Sequence, residues 1–130
     1  MLTTRRTQIA DYAEACRLTE QADLLHADGV PWMFKAPGAP ARSEAYFEEL
    51  LARGDSVVFV ADASDLVGIA FGHLQAAPEL PIFHRQRWGV LDGLVVDSAW
   101  RRQGIGSLLT RAVETWALEY GASWVELNVY

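Results

Sequence analysis

"LVVDSAWRRQGIGSLLTRAVETWALEYG", residues 94–121, decides the fold. It opens on an apolar run, Leu94-Val95-Val96, which reads as the end of a strand. Arg101-Arg102-Gln103-Gly104-Ile105-Gly106 follows, with two glycines that permit a tight turn. Ile105, Leu108, Leu109, Ala112, Val113, Trp116, Ala117 and Tyr120 then recur at helical spacing, one apolar stripe over about four turns. Tyr120 is read with that stripe as a core residue. Gly121 stands where a left-handed residue closes a helix. Strand, turn and helix in this order aim several free backbone N–H groups, and the positive end of a helix dipole, at one spot. Glycine at 104 and 106 also removes the Cβ atoms that would hold an anion off those amides. Arg101 and Arg102 add positive charge at the same end.

Such a junction has three readings. The first is a helix start that binds nothing. The second is a dinucleotide turn, which needs Gly-x-Gly-x-x-Gly after the first strand and an acidic residue about 20 positions on. Here Leu109 occupies the third glycine position, and the turn comes late in the chain. The third comes from a resemblance. The run "LDGLVVDSAWRRQGIGSLLTRAVETWALEYGASWVELNVY" resembles the core of the GNAT superfamily of N-acetyltransferases. Its signature, Arg/Gln-x-x-Gly-x-Gly/Ala, is matched by Arg101, Gly104 and Gly106. The likeness extends over residues 56–130, including a hairpin of Val57–Asp62 with Leu66–Gln75, and more loosely over the residues before it.

The resemblance implies one domain, residues 1–130, of α/β class: a mixed, mostly antiparallel sheet flanked by helices, of the acyl-CoA N-acyltransferase type. It implies acetyl-CoA as co-substrate, no metal, and direct transfer to an amine without a covalent enzyme intermediate. By position, Arg101, Arg102, Gln103, Gly104, Ile105 and Gly106 would hold the pyrophosphate. Backbone groups of Leu94, Val95 and Val96 would pair with the pantetheine arm like an added strand, with the thioester carbonyl near Val95 or Val96. Members of the family continue with a loop, a helix bearing a tyrosine acid and further strands; this sequence ends at Tyr130 and does not show them. The general acid is therefore unassigned, and Tyr130 is not placed in that role. Val125, Leu127 and Val129 alternate with polar neighbours, which predicts a half-buried last strand. Its bare edge calls for cover by more chain or by a partner chain; a homodimer fits, since family members often pair.

The chemistry sets a further requirement. A protonated amine cannot attack a thioester, and a lysine-like amine has a pKa of about 10.4, so a base is needed at neutral pH. Asp92 lies on the motif strand, and strict alternation puts its side chain on the face of Leu94 and Val96. It is the catalytic candidate, taking the amine proton or orienting the cationic substrate; the competing reading is a solvent-paired aspartate near a strand start. Trp32, Met33 and Phe34 stand among prolines and glycines. They form either an aromatic wall against the acceptor, with Trp32 and Phe34 as substrate-binding candidates, or a plug that packs the loop onto the sheet. His26 is a second base candidate or a helix C-terminal cap. Residues 77–87 form a long connection placed to close over the substrate.

Composition sets the outer bounds. A chain of 130 residues, 51% hydrophobic, suits one domain with a core. No stretch approaches the roughly 20 apolar residues of a membrane span, and the N-terminus has no apolar run of signal-peptide type. Cys16 is the only cysteine, so no intrachain disulfide is possible. The expected setting is the cytoplasm. A net charge of −6 argues against a nucleic-acid binder and suits a cationic small-molecule or peptidic amine as partner. His26, His73 and His84 show no metal-ligand spacing, and no Gly-x-Ser-x-Gly elbow is present. The first part of the chain reads as a strand at Leu2–Arg6, a helix from Ile9 to Leu25, a Pro- and Gly-rich loop, and a helix from Ser43 ended by Gly54. The sequence thus predicts an N-acetyltransferase. Its rival is a non-catalytic acyl-CoA-binding sensor or interaction domain of the same fold.

Overall fold

A computed structural model describes residues 2–29 and 43–127, with side chains described for 2–21 and 43–127. Trp32, Met33, Phe34, Val129 and Tyr130 lie outside the described residues, as does the side chain of His26.

The elements are β1 (Thr3–Arg6), α1 (Tyr12–Gly29), α2 (Glu44–Ala52), β2 (Ser56–Asp62), β3 (Leu66–Ala76), β4 (Arg87–Val96), α3 (Ile105–Glu119) and β5 (Val125–Leu127), with short 3-10 turns at Ile9–Asp11 and Ser98–Trp100. They form a five-stranded sheet in sequence order. Strands β1 to β4 pair antiparallel, and β5 runs parallel to β4. This is the mixed, mostly antiparallel sheet that the sequence predicts. No helix among the described residues is long and apolar enough to cross a membrane.

Local chemistry accounts for the element ends. Ser43 caps α2 by accepting the Tyr46 N–H at 3.1 Å. That helix stops at Arg53, which is extended (φ −70°, ψ 134°), so its end does not wait for Gly54. The β2–β3 hairpin turns at Ser64, which takes φ 84° while its N–H donates to Asp62 Oδ1 at 3.0 Å. Gly121 takes φ 90° just past α3, as its position after the stripe predicts.

Helices cover both faces. On one face, Leu18 and Phe47 from α1 and α2 pack with Val58, Val60, Ile69 and Val95. On the other, α3 lies close against the sheet because three strand positions under it are glycines. A Cβ at Gly68 would stand 2.8 Å from Leu109 Cδ1, one at Gly72 2.8 Å from Val113 Cγ1, and one at Gly89 2.8 Å from the Ala117 Cβ. Leu109, Val113 and Ala117 are an i, i+4, i+8 ridge, so each step of the ridge beds over one glycine. The predicted stripe is narrower than its spacing suggested. Leu108 is 40% and Tyr120 46% exposed. Tyr120 is not core: it sits at the flank of the ridge, with its ring centroid 5.5 Å from that of Trp116.

Candidate functional site

The turn before α3 is built from two left-handed residues, Arg102 (φ 65°) and Gly104 (φ 80°). Alternating backbone handedness of this kind makes a concave cluster of N–H groups. Gly104 caps α3 without a side-chain bond. Leu108 N–H donates to the Gly104 carbonyl at 3.1 Å. The amides of Ile105, Gly106 and Ser107 precede that bond and have no carbonyl inside the helix to meet. The first turn of α3 holds no acidic residue, so its dipole is left uncompensated. Arg101, Arg102 and Gln103 are exposed beside it.

Gly106 is informative. A Cβ there would meet Leu94 Cδ2 at 3.6 Å and Val96 Cγ2 at 3.9 Å, both ordinary contacts. The fold has room for a methyl group, and glycine inside a helix costs about 0.5–1 kcal/mol relative to alanine. Packing supplies no reason for glycine at this position, whereas a ligand pressed against the amide does.

The outer edge of β4 continues from this turn. Asp97 N–H donates to the Val67 carbonyl at 2.8 Å, which fixes the phase of the β3–β4 ladder. Backbone direction alternates along an antiparallel strand. Val95, opposite Ile69, therefore turns its N–H and C=O toward β3, while Leu94 and Val96 turn theirs outward. Two contacts agree. The Val95 oxygen lies 3.4 Å from the Cβ position of Gly68, and Arg101 Nε reaches the outward Val96 oxygen at 3.4 Å. Strand β5 pairs only with Gly89–Leu91, so among the described residues no strand covers the edge at Leu94 and Val96. Of the three residues that the resemblance implied, Val95 thus differs from its neighbours. Its backbone is engaged by β3 and its side chain by the core of α1 and α2.

Asp92 departs from the sequence expectation. The ladder pairs Phe71 with Gly93 but Gly72 with Leu91, which leaves Asp92 as an extra residue, a β-bulge. Such a bulge turns two successive side chains to one side. Asp92 therefore faces away from Leu94 and Val96, toward α2, and strict alternation fails here. On that side its Oδ2 meets His73 Nδ1 at 2.6 Å. The two side chains are 37% and 29% exposed and line a cavity of about 420 Å³. Tyr46 and Leu50 from α2, with Arg53 just past its end, form another wall of it, with Asp55 and Ser56 at the start of β2. The residue that sequence reasoning passed over is His73, noticed only for lacking metal-ligand spacing. The signal for its partner was present: a glycine inside a strand, here Gly93 next to Asp92, marks a bulge.

The Acetyltransferase (GNAT) family matches residues 21–130. The chain belongs to the GNAT acetyltransferase family. Among solved structures, a tetramutant of protein BH1408 from Bacillus halodurans is 25% identical with a TM-score of 0.89, over 98% of this chain and 83% of the other. An acetyltransferase from Vibrio fischeri is 20% identical with a TM-score of 0.76, over 96% and 95%. An aminoglycoside acetyltransferase, meta-AAC0020, from an uncultured soil metagenomic sample was solved in complex with sisomicin. It is 23% identical with a TM-score of 0.65, over 99% of this chain and 78% of that one. Among curated proteins none matches. The sheet order and the helix on each face are those of the GNAT acyltransferase fold.

Proposed function

We propose that residues 1–130 form one GNAT domain that moves an acetyl group from acetyl-CoA to a primary amine by direct transfer. One observation carries this reading. The free amides at the start of α3, the outward backbone of Val96 and Leu94, and the bulge at Asp92 follow one another along a single strand edge. A long ligand with a pyrophosphate at one end, amides in the middle and a thioester at the other end suits that sequence of groups. Bound there, acetyl-CoA would supply the thioester carbonyl. The amides of Ile105, Gly106 and Ser107, with Arg101 and Arg102 and the turn at Gln103–Gly104, take the pyrophosphate. Leu94 and Val96 take the pantetheine amides. Asp92 brings a negative charge to the acceptor cavity and draws in a cationic amine, in accord with the net charge of −6.

Aminoglycoside acetylation by a structural neighbour supports a small polyamine as acceptor; a peptidic amine belongs to the same chemical class. Trp32 and Phe34 are proposed as a further wall for that acceptor, and pairing of two copies as the assembly.

Calorimetric titration tests the reading. Acetyl-CoA is expected to bind in the micromolar range, and acetyl-pantetheine, which lacks the pyrophosphate, to bind far more weakly. Equal affinity for the two would refute the placement of the phosphates. Release of free CoA thiol in the presence of an amine separates an enzyme from an acyl-CoA sensor, which would return acetyl-CoA intact.

A further inference from the structure

We propose that His73 is the group that takes the amine proton, and that Asp92 acts through it as a positioning residue. This rests on the acetyl-transfer reading above and names the proton acceptor within it.

The argument starts from the 2.6 Å contact between His73 Nδ1 and Asp92 Oδ2. An ionised carboxylate only accepts hydrogen bonds, so Nδ1 carries the hydrogen. In the neutral ring this leaves the lone pair on Nε2, for which no hydrogen bond is present among the described residues. The carboxylate oxygen is already engaged, and its remaining task is to hold the ring and balance the charge when Nε2 gains a proton. The same division of labour orients histidine bases wherever a carboxylate backs the ring.

Placement supports it. His73 stands on β3 opposite Val90, and the bulge brings Asp92 onto the same face. Under strict alternation from Leu94, Asp92 would face α3 and the pair would not exist. An isolated surface pair of this exposure stabilises a fold very little. Here the pair lines the acceptor cavity, at the point where the open edge of β4 meets the bulge. The other charged or titratable groups around that cavity are Asp55, Arg53 and Tyr46. Arg53 itself leans on Glu49 at 3.7 Å. Two carboxylates and one guanidinium thus line the cavity with the ring.

The step balances as follows. The ammonium passes one proton to His73 Nε2. The neutral nitrogen forms a bond to the acetyl carbon. The carbon–sulfur bond breaks with its electron pair on sulfur. The second proton of the attacking nitrogen goes to the departing sulfur through solvent, and His73 returns its own proton to water.

The test uses the full chain with spermidine and glycinamide as acceptors, following thiol release against pH. A general base must be unprotonated to accept the amine proton, so kcat/KM for the wild type should rise with pH. His73→Gln should lose that rise and fall about 10²- to 10⁴-fold. Asp92→Asn should also slow the reaction, because the ring loses the carboxylate that orients it; Asp92→Glu should restore much of the rate. Acetyl-CoA affinity by calorimetry should be unchanged in all three. Nitrogen-15 spectra of the free chain should show His73 as the Nδ1–H tautomer, lost in Asp92→Asn. A His73→Gln chain with the wild-type rate and pH profile would overturn the proposal while leaving the acetyl-transfer reading intact. So would an Nε2–H tautomer, or a wild-type chain that binds acetyl-CoA and acetylates neither amine. Failure to bind acetyl-CoA would overturn both.

Discussion

Replacing Gly106 with alanine should make the free protein more stable and its binding of acetyl-CoA weaker, two effects that a purely structural glycine could not combine. Gly106 is the second residue of α3, and its backbone is not in the left-handed region, so alanine adopts it without strain. The new Cβ would find Leu94 Cδ2 at 3.6 Å and Val96 Cγ2 at 3.9 Å, which is contact and not overlap. Removing a helical glycine returns about 0.5–1 kcal/mol. A gain near 1 kcal/mol raises Tm by roughly 2–4 °C in domains slightly larger than this one and by somewhat more in smaller ones. The same methyl stands next to an amide that has no carbonyl partner in the helix. If that amide binds a phosphate oxygen, pushing the oxygen away removes a charge-assisted hydrogen bond worth about 1.5–3 kcal/mol. The Kd for acetyl-CoA should then rise about 10- to 150-fold. Thermal unfolding of the free chain and calorimetry with acetyl-CoA read the two effects separately. A stabilised variant with unchanged affinity would show that no phosphate approaches this turn. A destabilised one would show that the space for the methyl is not there.

Three other perturbations follow from the same geometry. Gly68→Ala puts a Cβ 2.8 Å from Leu109 Cδ1 and 3.0 Å from Ile105 Cγ2, so these buried side chains must shift; a loss of about 1–3 kcal/mol is expected in urea unfolding. Ser43→Ala removes the acceptor of the Tyr46 N–H and should cost about 1 kcal/mol without changing acetyl-CoA affinity. Asp97 is held below the usual carboxylate range, first by the Ala99 N–H and then by Arg17, whose Nη1 lies 2.8 Å from its Oδ2. Because its folded pKa is the lower one, its stabilisation is complete above about pH 4 and is lost as pH falls through the folded value. Acid unfolding followed by circular dichroism should therefore be shallower in that range for Asp97→Asn than for the wild type.

The parts of this fold that depend on short-range periodicity were legible in the sequence. The α3 ridge, the Gly121 stop, the start of a helix at Ser43 and the β2–β3 hairpin each follow from spacing over a few residues, and each is present. The turn before α3 was legible for a similar reason: Arg101 to Gly106 is contiguous, so its backbone geometry is written in one stretch. What could not be read was the result of pairing between distant strands. Which of Leu94, Val95 and Val96 presents its backbone outward depends on ladder phase, and that is set by Asp97 bonding to Val67 across the hairpin. The face of Asp92 depends on one unpaired residue in the β3–β4 register, and its neighbour His73 comes from another strand altogether. Alternation carries a side chain's face along a strand only while the register holds, and a bulge inverts it for one residue. In this chain the inversion falls on the candidate catalytic aspartate. The same irregularity that defeats the sequence rule also joins Asp92 to a histidine, and it moves the charge from the α3 side of the sheet into the cavity beside α2. An inserted residue that weakens a central ladder and leaves two polar side chains half-exposed does little for stability. Its consistent effect is to set a carboxylate-backed imidazole beside the strand edge where the acyl group would arrive.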